Sequence, residues 1–259
     1  MGALESADKE FQEFLAKVSE RRAKYLTTTP NTTPPYRGEA PQGESGELKP
    51  KDLEYYGIYR RFQNVTFRQI EAQGLPANPV IRRHYRTIKD YADHLAENVA
   101  KGKGLILLGA CGTMKTTLSV AVMRVQIARG SSCYFIPMTT LMDEIFTRHA
   151  MNKEDCARFE QRIRTTQFLV VDDLGSENTD VGWVRSKVDS ILTERYNRML
   201  PCIITSNLTF EEMKGTYEMR LIDRLRHANM ALMFTGESLR KSGQVFLPQK
   251  SPNGQEERN

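Results

Sequence analysis

The sequence predicts an α/β fold, a mostly parallel sheet covered by helices on both faces. Short, wholly apolar runs recur along the chain, and stretches with helical spacing separate them. The first run leads directly into a loop with two glycines that opens a helix. Apolar runs of this length are what strands buried on both faces require, and the intervening helices supply the cover.

Taken in order, residues 8–26 have the pattern of an amphipathic helix. Phe11, Phe14, Leu15 and Val18 fall on one face, and Arg21, Arg22 and Lys24 load its C-terminal end. This makes 1–26 a separate N-terminal element that could grip a partner. Residues 27–50 carry Pro30, Pro34, Pro35, Pro41 and Pro50 with almost nothing apolar, the composition of a flexible linker. Residues 51–101 form a basic and aromatic lead-in that includes Tyr55, Tyr56, Tyr59, Arg60, Arg61, Phe62 and Phe67. It ends in a helix marked by Ile88, Tyr91, Ala92, Leu95 and Val99 and stopped at Gly102.

The core is expected over 102–240. Strands are predicted at Leu105–Leu108, Cys133–Ile136, Phe168–Val171, Ile203–Thr205 and Ala231–Phe234. Helices are predicted at Lys115–Arg129, Thr140–His149, Glu154–Arg164, Val184–Asn197 and Met219–Arg226, with a short one after the Thr209/Glu212 capping box. Residues 241–259 read as a flexible tail.

Composition excludes several classes. With 259 residues, 39% hydrophobic and 27% charged, the chain suits one sizeable soluble domain plus an appendage. No apolar run is long enough to span a bilayer, and Glu5, Asp8 and Glu10 do not fit a signal peptide, so the cytoplasm is the expected compartment. Four cysteines and four histidines are scattered singly, which argues against a zinc site or a disulfide framework. A net charge of +5 permits nucleic-acid binding without requiring it.

The chemistry is concentrated in a few segments. Gly109, Ala110, Cys111, Gly112, Thr113, Met114, Lys115, Thr116 and Thr117 follow a buried strand and open a helix, the context of a phosphate-binding loop. Such a loop needs converging backbone N–H groups, a lysine for the outer phosphates and a hydroxyl for magnesium. Lys115 and Thr116 stand in those last two places. Met114 stands where the pattern has glycine, and a positive φ there would cost about 1–2 kcal/mol. Phe168–Val171 ends in Asp172 and Asp173, acids suited to hold a metal ion and to polarise an attacking water. Asn207 closes a polar strand end, and Arg220 and Arg224 share one helix face.

In order, GACGTMKTTL, FLVVDDLGSE, PCIITSNLTFEEM, EMRLIDRLRH and Gly236–Arg240 resemble the DnaC/IstB branch of AAA+ ATPases, from about Phe62 to Arg240. The resemblance implies a five-stranded parallel P-loop AAA+ sheet and ATP bound with Mg²⁺ between subunits of a homo-oligomer. It implies the nucleotide loop at Gly109–Thr117, metal-side roles for Thr116 and Asp172, water activation by Asp173, a sensor role for Asn207 and a trans-acting arginine at Arg224, with Arg220 its neighbour. Met114 departs from the family pattern and bears on hydrolysis rate more than on binding.

A small N-terminal element, a tether and an ATPase together resemble a helicase loader, whose partners would be a replicative DNA helicase and single-stranded DNA. Tyr59, Arg60, Arg61, Arg82, Arg83, Arg86 and Lys89 are the candidate DNA contacts. The rival readings are a transposition helper of the IstB kind, a non-hydrolysing nucleotide-switch adaptor and a small-molecule kinase.

Overall fold

The computed structural model describes residues 50–177 and 182–240. The expected helix at 8–26, residues 27–49 of the linker and the 241–259 tail lie outside the described residues. Five strands form one sheet: β1 (Gly104–Gly109), β2 (Cys133–Pro137), β3 (Phe168–Asp172), β4 (Cys202–Ser206) and β5 (Asn229–Phe234). Their spatial order is β2-β3-β4-β1-β5 and every pairing is parallel. The fold is that of a P-loop AAA+ domain.

The central strand shows why both faces need cover. Along β1, alternate side chains point to opposite sides of the sheet. Leu105 and Leu107 join an apolar cluster with α3 (Pro79–Asp93) and α5 (Lys115–Ala128). Ile106 and Leu108 join another with α6 (Met138–Met151), α7 (Lys153–Thr165), α8 (Gly182–Asn197) and α10 (Met219–Ala228). Because every link from strand to strand is a crossover, the carboxyl ends of β1, β3 and β4 emerge side by side, where doubly wound sheets bind ligands.

The lead-in contributes to the same core. Leu53 in α1 (Pro50–Tyr55), with Tyr56 and Ile58 after it, is buried in the α3/α5 cluster. The Phe135 N–H on β2 donates to Tyr56 O at 2.8 Å, so this segment runs along the outer side of β2. Arg60–Phe62 makes a 3₁₀ turn, and α2 (Phe67–Gln73) starts at Thr66, whose hydroxyl accepts from Gln69 N–H. The single helix expected around Ile88–Val99 is two. α3 begins earlier, where the Asn78 side chain accepts from Val80 and Ile81 N–H and Pro79 takes the first turn. It ends at His94, whose φ of −99° and ψ of 24° break the helix before α4 (Leu95–Ala100). The capping box at Thr209 and Glu212 is present and starts α9 (Phe210–Thr216).

One buried group had no signature in the sequence. Arg195 on α8 is 0% exposed. Its guanidinium donates to Ile163 O and Thr166 O at 2.8 Å, to Pro201 O at 3.0 Å and to Cys202 Sγ at 3.0 Å. It closes the carboxyl end of α7 and ties it to the start of β4. Arg195→Ala removes the guanidinium that these carbonyls share and is expected to destabilise the domain by about 3 kcal/mol. A thermal-denaturation midpoint lowered by roughly 10 °C would check this; an unchanged midpoint would mean that the buried guanidinium contributes nothing net.

Candidate nucleotide site

The loop between β1 and α5 folds around close backbone approaches. Gly109 has φ 117°, and a Cβ there would stand 1.9 Å from Phe234 O. Gly112 has φ 75°, and a Cβ there would meet Ser238 Oγ at 2.0 Å. Thr113 is buried inside the loop, its hydroxyl donating to Ala110 O at 2.8 Å. Met114 adopts φ 75° and ψ 5°, so the left-handed conformation that the sequence made conditional is present. Its side chain packs against the apolar cluster of α3 and α5, which takes it out of the loop's interior. The backbone N–H groups at the start of α5 complete an anion-binding helix terminus.

Lys115 is 6% exposed, and its ammonium donates to Gly109 O at 2.6 Å, Ala110 O at 2.8 Å and Asn207 Oδ1 at 3.0 Å. Burial pulls its pKa down, while Cys111, Asp173 and Asp172 pull it up. The Thr116 hydroxyl donates to Asp172 Oδ1 at 2.8 Å, and the Thr205 hydroxyl donates to the same oxygen at 2.7 Å. Burial raises the Asp172 carboxyl, the two hydroxyls oppose that shift, and the neighbouring Asp173 adds to it. Asp173 has φ 61°; its N–H donates to Thr205 Oγ1 at 2.9 Å, and its Oδ1 accepts from Asn207 Nδ2. Lys115, Thr116, Asp172, Asp173 and Asn207 therefore meet at the ends of three adjacent strands.

The remaining candidates lie elsewhere. Arg224 donates to Thr193 Oγ1 at 2.9 Å and Arg220 to Asp189 Oδ2 at 3.3 Å, so both lean on α8 and neither touches the loop. The proposed DNA contacts do not form one patch. Tyr59 packs edge-on against Phe135 of β2, with Arg60 and Arg61 following it. Arg82, Arg83, Arg86 and Lys89 lie on α3, which packs on α5 and β5, at the other edge of the sheet. Within this group Arg82 is engaged by Pro76 O and Leu75 O, and Lys89 by Glu71.

A further cation was legible only as part of a motif. After β5 the chain turns back over the loop, and Leu239 N–H donates to Gly112 O at 2.9 Å. Arg240 stands close enough to Lys115 to lower its pKa. A second positive charge near the loop suits a highly charged anion. Gly236–Arg240 belonged to the resemblance, but no spacing rule gave Arg240 a role.

The donor set, the loop that an added Cβ would fill and the adjoining acids fit a nucleoside triphosphate. The family described as IstB-like ATP binding protein matches residues 84–245. The chain belongs to this family. Among relatives of the IstB-like ATP-binding chain, the replicative helicase loader DnaI of Bacillus subtilis is 24% identical over 196 residues, covering 71% of this chain and 60% of that one. A protein of the insertion sequence IS5376 of Geobacillus stearothermophilus is 26% identical over 150 residues, covering 55% and 57%. The chain thus spans less than two thirds of either relative's length. The crystal structure of the DnaC helicase loader is similar with a TM-score of 0.60 and 25% identity, over 68% of this chain and 100% of that one. Among the described residues, no helix is long and apolar enough to cross a membrane.

Two substitutions probe the loop. Lys115→Ala is expected to weaken binding of a fluorescent ATP analogue on the order of 100-fold; retained affinity would move the nucleotide site elsewhere. Met114→Gly relieves about 1 kcal/mol of left-handed strain and gives up a partly buried side chain of similar worth. Its melting midpoint should stay within a few degrees and its affinity within about threefold. A collapse of either would make the methionine part of the loop's architecture.

Proposed function

We propose that this chain hydrolyses ATP as a helicase loader of the DnaC/DnaI kind, engaging a replicative helicase and single-stranded DNA. The observation that carries the ATPase part is the convergence of Lys115, Thr116, Asp172, Asp173 and Asn207 at three strand ends. In this reading the N–H groups of Gly109–Thr117 and the Lys115 ammonium receive the phosphates, which compete with Gly109 O and Ala110 O for that ammonium. Thr116 and Asp172 hold Mg²⁺, whose chemistry is to neutralise and polarise the phosphate oxygens. Asp173, oriented by Asn207, accepts the proton of the attacking water. Arg240 supplies a second cation within the same chain, and Arg224 supplies one to the nucleotide of the neighbouring subunit.

The loader assignment is supported by the likeness to DnaC along that protein's whole solved chain. A transposition helper is the second reading, favoured by the insertion-sequence relative. Co-purification of the full chain with the cell's replicative helicase separates them: stable capture of the helicase is expected. Binding to a transposase–DNA complex with no helicase would overturn the loader assignment. Deleting residues 1–49 should abolish helicase capture and spare ATP binding.

Two enzymatic tests address the chemistry. Asp173→Asn should lower turnover on the order of 100-fold while ATP stays bound; normal turnover would remove that acid from the mechanism. Arg224→Ala and Lys115→Ala chains should each be inactive alone and regain turnover when mixed, since one keeps a nucleotide site and the other keeps the donor arginine. No recovery in the mixture would exclude a trans role for Arg224.

A further inference from the structure

Five residues beyond Asp172, Glu177 is buried with 6% exposure. Its Oε2 accepts from Gly175 N–H at 2.8 Å, and its Oε1 accepts from the hydroxyl of Tyr217. Tyr217, 4% exposed, closes α9 two residues before α10 begins. The loop that carries Glu177 is itself fixed to β4. Leu174 N–H donates to Thr205 O at 2.8 Å, and Ser206 Oγ donates to Leu174 O at 2.6 Å. Asp173, Asn207 and the start of α10 are thereby joined through one short stretch of chain.

The choice of a carboxylate is informative. Taking a carboxyl group out of water is unfavourable, and burial raises the pKa of Glu177, with Asp173 adding to the shift. A carboxylate nevertheless has two acceptor oxygens, and here each serves a donor from a different segment. Glutamine has one acceptor oxygen and no charge, so it can accept from only one of the two donors and strengthens neither bond electrostatically. Helix α10, whose approach is set at Tyr217, buries Leu221, Ile222 and Leu225 and presents Arg220 and Arg224 towards α8.

We propose that Glu177 is a positioning residue: through Tyr217 it sets where α10 starts relative to Asp173, so that the water-activating loop and the arginine helix shift as one body. This rests on Arg224 serving a neighbour's nucleotide. Through this tie, the arrangement of one subunit's acidic loop governs the arginine it offers to the next subunit.

The test uses full-length chains and the mixing assay. Lys115→Ala chains donate Arg224 to Arg224→Ala chains, and Tyr217→Phe or Glu177→Gln is added to the donor. Each addition is expected to lower the restored turnover about tenfold, the effect of losing one buried charge-assisted hydrogen bond. In otherwise wild-type chains, the same substitutions should leave affinity for the fluorescent ATP analogue within about twofold, which a general loss of packing would not. Donors that restore turnover as well as their parent overturn the proposal. So does a joint fall in melting midpoint and nucleotide affinity in both variants. If the unmodified donor restores nothing, the trans-arginine reading itself fails and the tie loses its purpose with it.

Discussion

Oδ1 of Asp172 accepts hydrogen bonds from Thr116 at the start of α5 and from Thr205 on β4, while its own backbone belongs to β3. Three elements that are distant in sequence meet at this oxygen. The carboxyl group is half-buried, which favours its neutral form, and the two hydroxyls oppose that shift towards the charged one. The parallel sheet makes this possible by delivering β1, β3 and β4 to one edge with β4 between the other two. Asn207 follows β4 and touches both Lys115 and Asp173, so the cation and the second acid take their places from the same strand.

Much of this was readable because the residues involved obey local rules. A buried strand can be recognised from a run such as Leu105–Leu108, since both faces must be apolar. The loop at Gly109–Thr117 and the acids at Asp172 and Asp173 stand next to such runs, and their spacing carries the pattern. Thr209 with Glu212 was legible for the same reason, as a cap is settled within four residues. The Asn78–Pro79 start of α3 is equally local, but the apolar period is clearer further along that helix.

What escaped depends on contacts between distant parts of the chain. Arg195 looks like any arginine on a helix; only the fold brings the carbonyls of Ile163, Thr166 and Pro201 around it. Arg240 comes near Lys115 only because the chain reverses after β5. The basic residues proposed to contact DNA share a composition but not a location, since Tyr59 sits by β2 and α3 sits by β5. Composition alone has no means of separating two edges of a sheet.

The path of Leu53–Ile58 beside β2 has a consequence for handling the protein. A shortened chain that starts after residue 62 would leave the Phe135 amide without its acceptor and strip the cover from a hydrophobic strand border. Such a border is a template for strand addition by other molecules. What looks like dispensable leader sequence thus serves as a guard against self-association, and a soluble minimal fragment has to retain it.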